Sequence, residues 1–168
     1  MKICILIALI LFVFGPPQMD EIKLEIGSVL PTRYVPQKNR NLYMTHSSQF
    51  RPYIERKVGG IKYIIAYEEK TREIKYISTY DKRFKTSGGL IVGGYIDVQG
   101  DQVSAYPGWE IRGPKSEDGW QPLLGFDSEI TIRSGGRDAT LKLRPTQYRL
   151  EAGQLVKAKI KAFVKGSN

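Results

Sequence analysis

From Val156 to Lys165 the chain alternates without a break. Val156, Ala158, Ile160, Ala162 and Val164 fall on one side, and Lys157, Lys159, Lys161, Phe163 and Lys165 on the other. A period of two sends successive side chains to opposite faces of a strand, so this segment reads as one strand with a core face and a lysine ridge. A strand with one wet face belongs in an antiparallel sheet. The chain supplies partners for it. Ile61–Tyr67 and Arg72–Thr79 flank the polar turn Glu68-Glu69-Lys70-Thr71, and Glu129–Arg133 and Thr140–Arg144 flank Ser134-Gly135-Gly136-Arg137. Both patterns read as antiparallel hairpins.

Other segments add shorter strands. Ile22, Leu24 and Ile26 alternate with Lys23 and Glu25, and Trp109-Glu110-Ile111-Arg112 sits between the turn pairs Pro107-Gly108 and Gly113-Pro114. Tyr95–Ala105 reads as a short helix or as two strand pieces around Gly100, because a glycine costs a helix interior about 1 kcal/mol against alanine. Seventeen Gly and nine Pro in 168 residues supply the turns that many short strands need. The expected fold class is α+β, β-dominated: an antiparallel sheet built from hairpins with at most one or two short helices. This length suits a single core.

The amino terminus carries a different signal. Lys2 precedes Ile3–Phe14, twelve residues without a polar interruption, and Gly15-Pro16-Pro17 ends the run. A bilayer-spanning helix needs about twenty apolar residues, whereas a run this short behind one lysine fits a secretory signal. The expected organisation is a signal peptide over residues 1–18, cleaved after Gly15 or nearer Gln18 or retained as a tether. A single β-rich domain follows over residues 19–168, of which 19–60 is in part an irregular basic arm. Cys4 is the only cysteine and lies inside the apolar run. The remainder can therefore form no disulfide, thiolate metal site or cysteine nucleophile. Together with the absence of an Asn-x-Ser/Thr sequon, this points to a bacterial periplasm or exterior rather than a eukaryotic secretory route.

Charge is distributed in blocks. Pro31–Lys62 holds seven basic residues against Glu55, and Ser128–Asn168 holds nine against three acidic ones, while the segments between and before them are slightly acidic. If the basic blocks meet in space they make a basic face. Lys142, Arg144, Lys157, Lys159, Lys161 and Lys165 are the candidate residues of such a face, for anionic lipid headgroups, an anionic wall polymer or an acidic protein. The same lysines also serve solubility and block edge-to-edge pairing. Tyr106, Trp109 and Trp120, set among Pro and Gly, form an exposed aromatic platform, or Trp109 and Trp120 are core or loop-packing residues.

Catalytic patterns are sparse. His46 is the only histidine, which excludes a multi-histidine metal site. There is no Gly-x-Ser-x-Gly elbow and no phosphate loop ending in Lys-Ser/Thr. The glycine pairs at 88–89, 93–94 and 135–136 read as turns. Glu68-Glu69 and Glu117-Asp118 sit in turn or loop segments, where carboxyls titrate near pH 4. An acid–base hydrolase would need two of them across a cleft. The expectation is a non-catalytic protein with no metal and no cofactor. Nucleic acid is not expected as a partner, since no binding motif is present.

The hairpin that ends at Tyr76-Ile77-Ser78-Thr79 runs on to Phe84, Thr86, Gly89, Leu90, Val92 and Gly93. That stretch resembles small uncharacterised exported bacterial proteins with a hairpin followed by Phe-x-Thr-x-x-Gly-Leu-x-Val-Gly. It looks loosely like the β-lactamase-inhibitor-protein type of module, which binds other proteins. The resemblance covers about half the chain and carries over no functional residue. It implies a helix after the second glycine, then a Gly-Trp loop and a closing strand. Gly94 and Gly100 disfavour that helix here. The functional expectation is an exported protein that binds another macromolecule in an inhibitor, immunity or accessory role.

Overall fold

The computed structural model describes residues 22–44, 49–106, 110–124, 129–142 and 150–166. Its strands are β1 (Arg40–Met44), β2 (Gln49–Val58), β3 (Ile61–Tyr67), β4 (Ile74–Thr79), β5 (Tyr95–Gln99), β6 (Ser104–Tyr106), β7 (Glu110–Arg112), β8 (Gln121–Leu123), β9 (Glu129–Ser134), β10 (Arg137–Lys142), β11 (Leu155–Lys159) and β12 (Ala162–Gly166). They form an eight-stranded sheet in the order β1-β2-β3-β4-β12-β8-β7-β6 and a four-stranded sheet in the order β10-β9-β11-β5. Every pairing is antiparallel. The helical content of the described residues is two 3₁₀ turns, Thr32–Tyr34 and Gly100–Gln102. The fold is thus β-dominated and built from hairpins, as the sequence pattern indicates.

Both expected hairpins form. β3 and β4 pair with Ile65 opposite Ile77. β9 and β10 close on Ser134 opposite Arg137. Gly135 and Gly136 lie between them at φ 58° and 78°, the two left-handed positions of a type I′ turn, which matches the twist of the flanking strands.

Three expectations change, and one open alternative is resolved. The basic arm is regular from Arg40 on, where β1 and the ten-residue β2 pair at the edge of the large sheet, while residues 30–39 hold a 3₁₀ turn and no strand. Pro52 is tolerated because the ladder with β3 begins only at Tyr53, so the proline, which has no N–H to donate, falls outside it. Ile22–Ile26 is not a strand, although Ile22 is buried and Leu24 and Ile26 pack on the core. The Ser28 hydroxyl donates to the carbonyls of Lys23 (2.8 Å) and Glu25 (2.6 Å), folding the segment into a turn instead. Tyr95–Ala105 resolves into strand pieces: β5 stands where the resemblance implies a helix, and the Gly100–Gln102 turn separates it from β6.

The largest change concerns Val156–Lys165. The segment is not one strand but two, β11 in the small sheet and β12 in the large one, joined by a corner at Ile160 and Lys161. Ile160 exchanges backbone hydrogen bonds with the Gly93-Gly94 turn, and Lys161 N donates to Leu123 O. Crossing from sheet to sheet changes the parity of the alternation. Val156, Ala158 and Ile160 face the main core, but beyond the corner it is Phe163 that enters it, while Ala162 and Val164 join a second apolar cluster with Met44, Ala66, Tyr76 and Leu123. β12 is consequently buried on both faces. The main core lies between the sheets, with Ile65, Ile77 and Phe163 from the large one against Ile96, Val98, Val156 and Ala158 from the small one. The signal peptide proposed for residues 1–18 lies outside the described residues.

Candidate binding surfaces

The outer face of the small sheet carries part of the expected basic ridge. Lys157 and Lys159 are exposed there, but they do not stand alone. Lys157 pairs in register with Asp97 on one side and Thr131 on the other. Its ammonium lies 5.5 Å from the centre of the Tyr95 ring, which is 60% exposed. Arg133 makes a two-pronged ion pair with Asp138 (2.7 and 2.9 Å). Asp97, Thr131, Arg133, Asp138, Leu155 and Lys157 line a shallow groove of about 370 Å³. The ridge is therefore a face of mixed sign, because the neighbouring strands place carboxylates between the lysines. Lys161 sits half-buried at the corner, and Lys165 belongs to the other sheet, so neither extends this face. Lys142 is the last residue of β10, opposite Glu129 and separated from β11 by β9. Arg144 and Trp109 lie outside the described residues. Tyr106 is placed by its backbone in β6, opposite Glu110.

Trp120 is not an exposed platform. It is 6% exposed and belongs to an aromatic cluster in the main core. Its ring stacks on Tyr63 at 6.1 Å and meets the edge of Phe84 at 4.8 Å, and Phe84 in turn contacts Phe163 at 5.1 Å. Burying several large rings together is worth more than lining a loop with them. The structure does bring two candidate residues together, since the Lys165 ammonium lies 5.3 Å from the Trp120 ring centre.

The loop before Trp120 is tightly held. The Ser116 hydroxyl donates to Asp118 (2.5 Å), Ser87 N donates to the other oxygen of Asp118 (2.8 Å), and Gly119 N donates to Ser116 O (2.8 Å). Burial alone would raise the Asp118 carboxyl, but hydrogen bonds from Ser116, Ser87 and Trp120 outweigh it and hold the group below the ordinary range. A carboxyl depressed in the folded state stabilises above its unfolded pKa, near 3.9, and that contribution fades as pH falls through the folded value. On acidification below about pH 4, wild type is expected to lose stability more steeply than Asp118→Asn. Denaturant titrations at a series of pH values check this, and parallel curves would count against the assignment.

One surface escaped the sequence pattern. Tyr43 on β1 and Phe50 on β2 face each other across the hairpin with ring centroids 5.0 Å apart, and are 46% and 69% exposed. Between Lys38 and Val58 the chain carries five basic residues against Glu55. The Arg40 guanidinium lies over Tyr53 (5.7 Å), while Arg33 and Arg56 both lie over Tyr34 (5.0 and 5.8 Å). Arg51 bonds Glu68, which ties the hairpin to the β3–β4 turn. The available signal was the alternation of Phe50, Pro52 and Ile54 with Arg51, Tyr53 and Glu55, obscured by the proline.

Among the described residues no group of three or more His, Cys, Asp or Glu side chains is placed to hold a metal ion, and no helix is long and apolar enough to cross a membrane. Comparison of the chain with protein-family models, with curated proteins and with solved structures gave no match in any of the three.

Proposed function

We propose that this chain is a non-catalytic exported protein that binds another macromolecule, in an inhibitor, immunity or accessory role, and that it docks an acidic protein on the β1–β2 hairpin. The observation that carries the reading is the exposed Tyr43–Phe50 pair set in a basic surface. Aromatic and arginine side chains are the residue types that dominate binding energy at protein interfaces. Two apolar rings held against each other in water, on a hairpin that contributes nothing there to the core, are more economically explained by a partner than by stability. The position adds support. β1 is the edge strand of the large sheet and pairs only with β2 among the described residues, so its outer backbone groups are placed to accept an added strand. The excess of basic residues favours an acidic surface opposite.

The alternative reading, an anionic lipid or wall polymer on the lysine face, has less support, because Asp97 and Asp138 share that face with Lys157 and Lys159. The test is retention of material from an envelope extract by immobilised wild type and by the Tyr43→Ser/Phe50→Ser variant, at low and high salt. One protein retained stoichiometrically at high salt is expected, with affinity reduced at least tenfold in the variant, since truncating a central aromatic anchor typically costs about 2 kcal/mol. Thermal unfolding should be nearly unchanged. Equal retention by both proteins, or capture only of polymer or lipid that disappears with salt, would sink the proposal.

A further inference from the structure

Lys115 and Lys165 converge on Gly119. A Cβ placed on that glycine would lie 3.0 Å from Cε of Lys165 and 3.7 Å from both its Nζ and Cε of Lys115. The two lysine stems thus come to the same side-chain-free position, which places their ammonium groups in one neighbourhood. The lysines line an open surface depression of about 420 Å³ whose walls also include Glu25, Ile26, Gly119 and Gly166. Among the described residues no carboxylate lies within ion-pair distance of either ammonium. The one acid in the wall, Glu25, is paired with Lys23 at 2.7 Å.

The geometry is built rather than incidental. The Lys165 ammonium rests over Trp120 (5.3 Å), a ring fixed in the core. Lys115 opens the loop that Ser116, Asp118 and Ser87 hold by hydrogen bonds. Gly119 has φ +82°, a conformation that side-chain-bearing residues rarely adopt, and its missing Cβ is what lets the Lys165 stem approach so closely. Two ammonium groups held together without a counter-charge repel one another, and a ligand that neutralises both removes that cost. A carboxylate offers one charge. A phosphate offers close to two, with three acceptor oxygens for donors arriving from different sides.

We propose that Lys115 and Lys165 form a binding site for a phosphate group, carried either by a soluble phosphomonoester or by a lipid headgroup. The site lies on residues other than Tyr43 and Phe50 and stands independently of the hairpin reading. The test is titration of isotope-labelled full-length protein with glycerol 3-phosphate, followed by amide chemical shifts, beside matched additions of sodium chloride. A second arm measures sedimentation with phosphatidylcholine vesicles with and without phosphatidic acid.

Saturable shifts confined to residues 115–120 and 165–166 are expected, or cosedimentation that depends on phosphatidic acid. Either should weaken by about tenfold or more in Lys115→Gln/Lys165→Gln, the loss that follows removal of charge-assisted contacts. These lysines lie outside the core, so the variant is expected to stay folded. Gly119→Ala, which crowds the Lys165 side chain and strains a left-handed backbone position without removing a charge, should weaken binding as well, whereas Tyr43→Ser/Phe50→Ser should leave it unchanged. Soluble binding identifies a phosphomonoester as sufficient, and binding to vesicles alone identifies the headgroup. Shifts reproduced by sodium chloride, binding that survives in the double lysine variant, or no response in either arm would overturn the proposal.

Discussion

Phe163→Ala is expected to destabilise the protein by about 3–5 kcal/mol, the range for truncating a buried aromatic to alanine. Phe163 has no solvent exposure. It sits on β12, between β4 and β8, opposite Thr79 and Pro122, and its ring meets Phe84 at 5.1 Å in the cluster that includes Tyr63 and Trp120. Strands press on it from both sides, so the site has little room to collapse around the deletion. The experiment also decides between two accounts of the segment. If Val156–Lys165 were one strand with unbroken alternation, Phe163 would share the solvent face with the lysines, and its removal would cost within about 0.5 kcal/mol, as for an ordinary surface position. Denaturant unfolding, with the slope m unchanged, separates these outcomes.

Gly100→Ala is the second large effect, and its sign is the informative part. Replacing glycine by alanine at a compatible backbone position stabilises by about 0.4–1 kcal/mol, because it restricts the unfolded chain. In a helix around Gly100 the gain would be near the top of that range. The structure points the other way. A Cβ on Gly100 would lie 2.6 Å from the carbonyl oxygen of Glu151 and 3.0 Å from Cβ of Leu150. The obstacle is backbone, and it is held in place, since Gly100 N donates to Gln154 O at 2.8 Å. Crowding of this kind typically costs about 1–3 kcal/mol. A lower unfolding midpoint is the expected result, and a higher one would contradict the contact between this turn and the segment before β11.

These variants mark where the sequence is legible and where it stops. The β3–β4 hairpin and the Gly135-Gly136 turn can be read directly, because their signals are local: β-branched and aromatic runs beside a polar or two-glycine turn. The corner at Ile160 and Lys161 leaves no such mark. Its residues continue the alternation through the bend, and only the sheets on either side determine which parity is buried. Local alternation therefore gives Phe163 and Lys165 a solvent face that β12 does not possess. β1 and β2 were hidden by Pro52 and by arginines that read as solvated arm but whose apolar neighbours, Ile54 among them, reach the core. The pairing of Lys115 with Lys165 belongs to the same class. It arises because β12 runs beside β8, next to the loop that ends at Trp120, and nothing near either lysine announces the other.

The corner also fixes when the protein can fold. β11 lies between β9 and β5, and β12 between β4 and β8. The two strands latest in chain order thus occupy interior positions of both sheets, and each joins elements made much earlier. Until they emerge, the large sheet is split between β4 and β8, β5 has no neighbour, and the core lacks Val156, Ala158, Ile160 and Phe163. Partial chains can form the β2–β3–β4 meander but cannot close around it. Closure of both sheets must then wait for β11 and β12 rather than accompany the earlier strands.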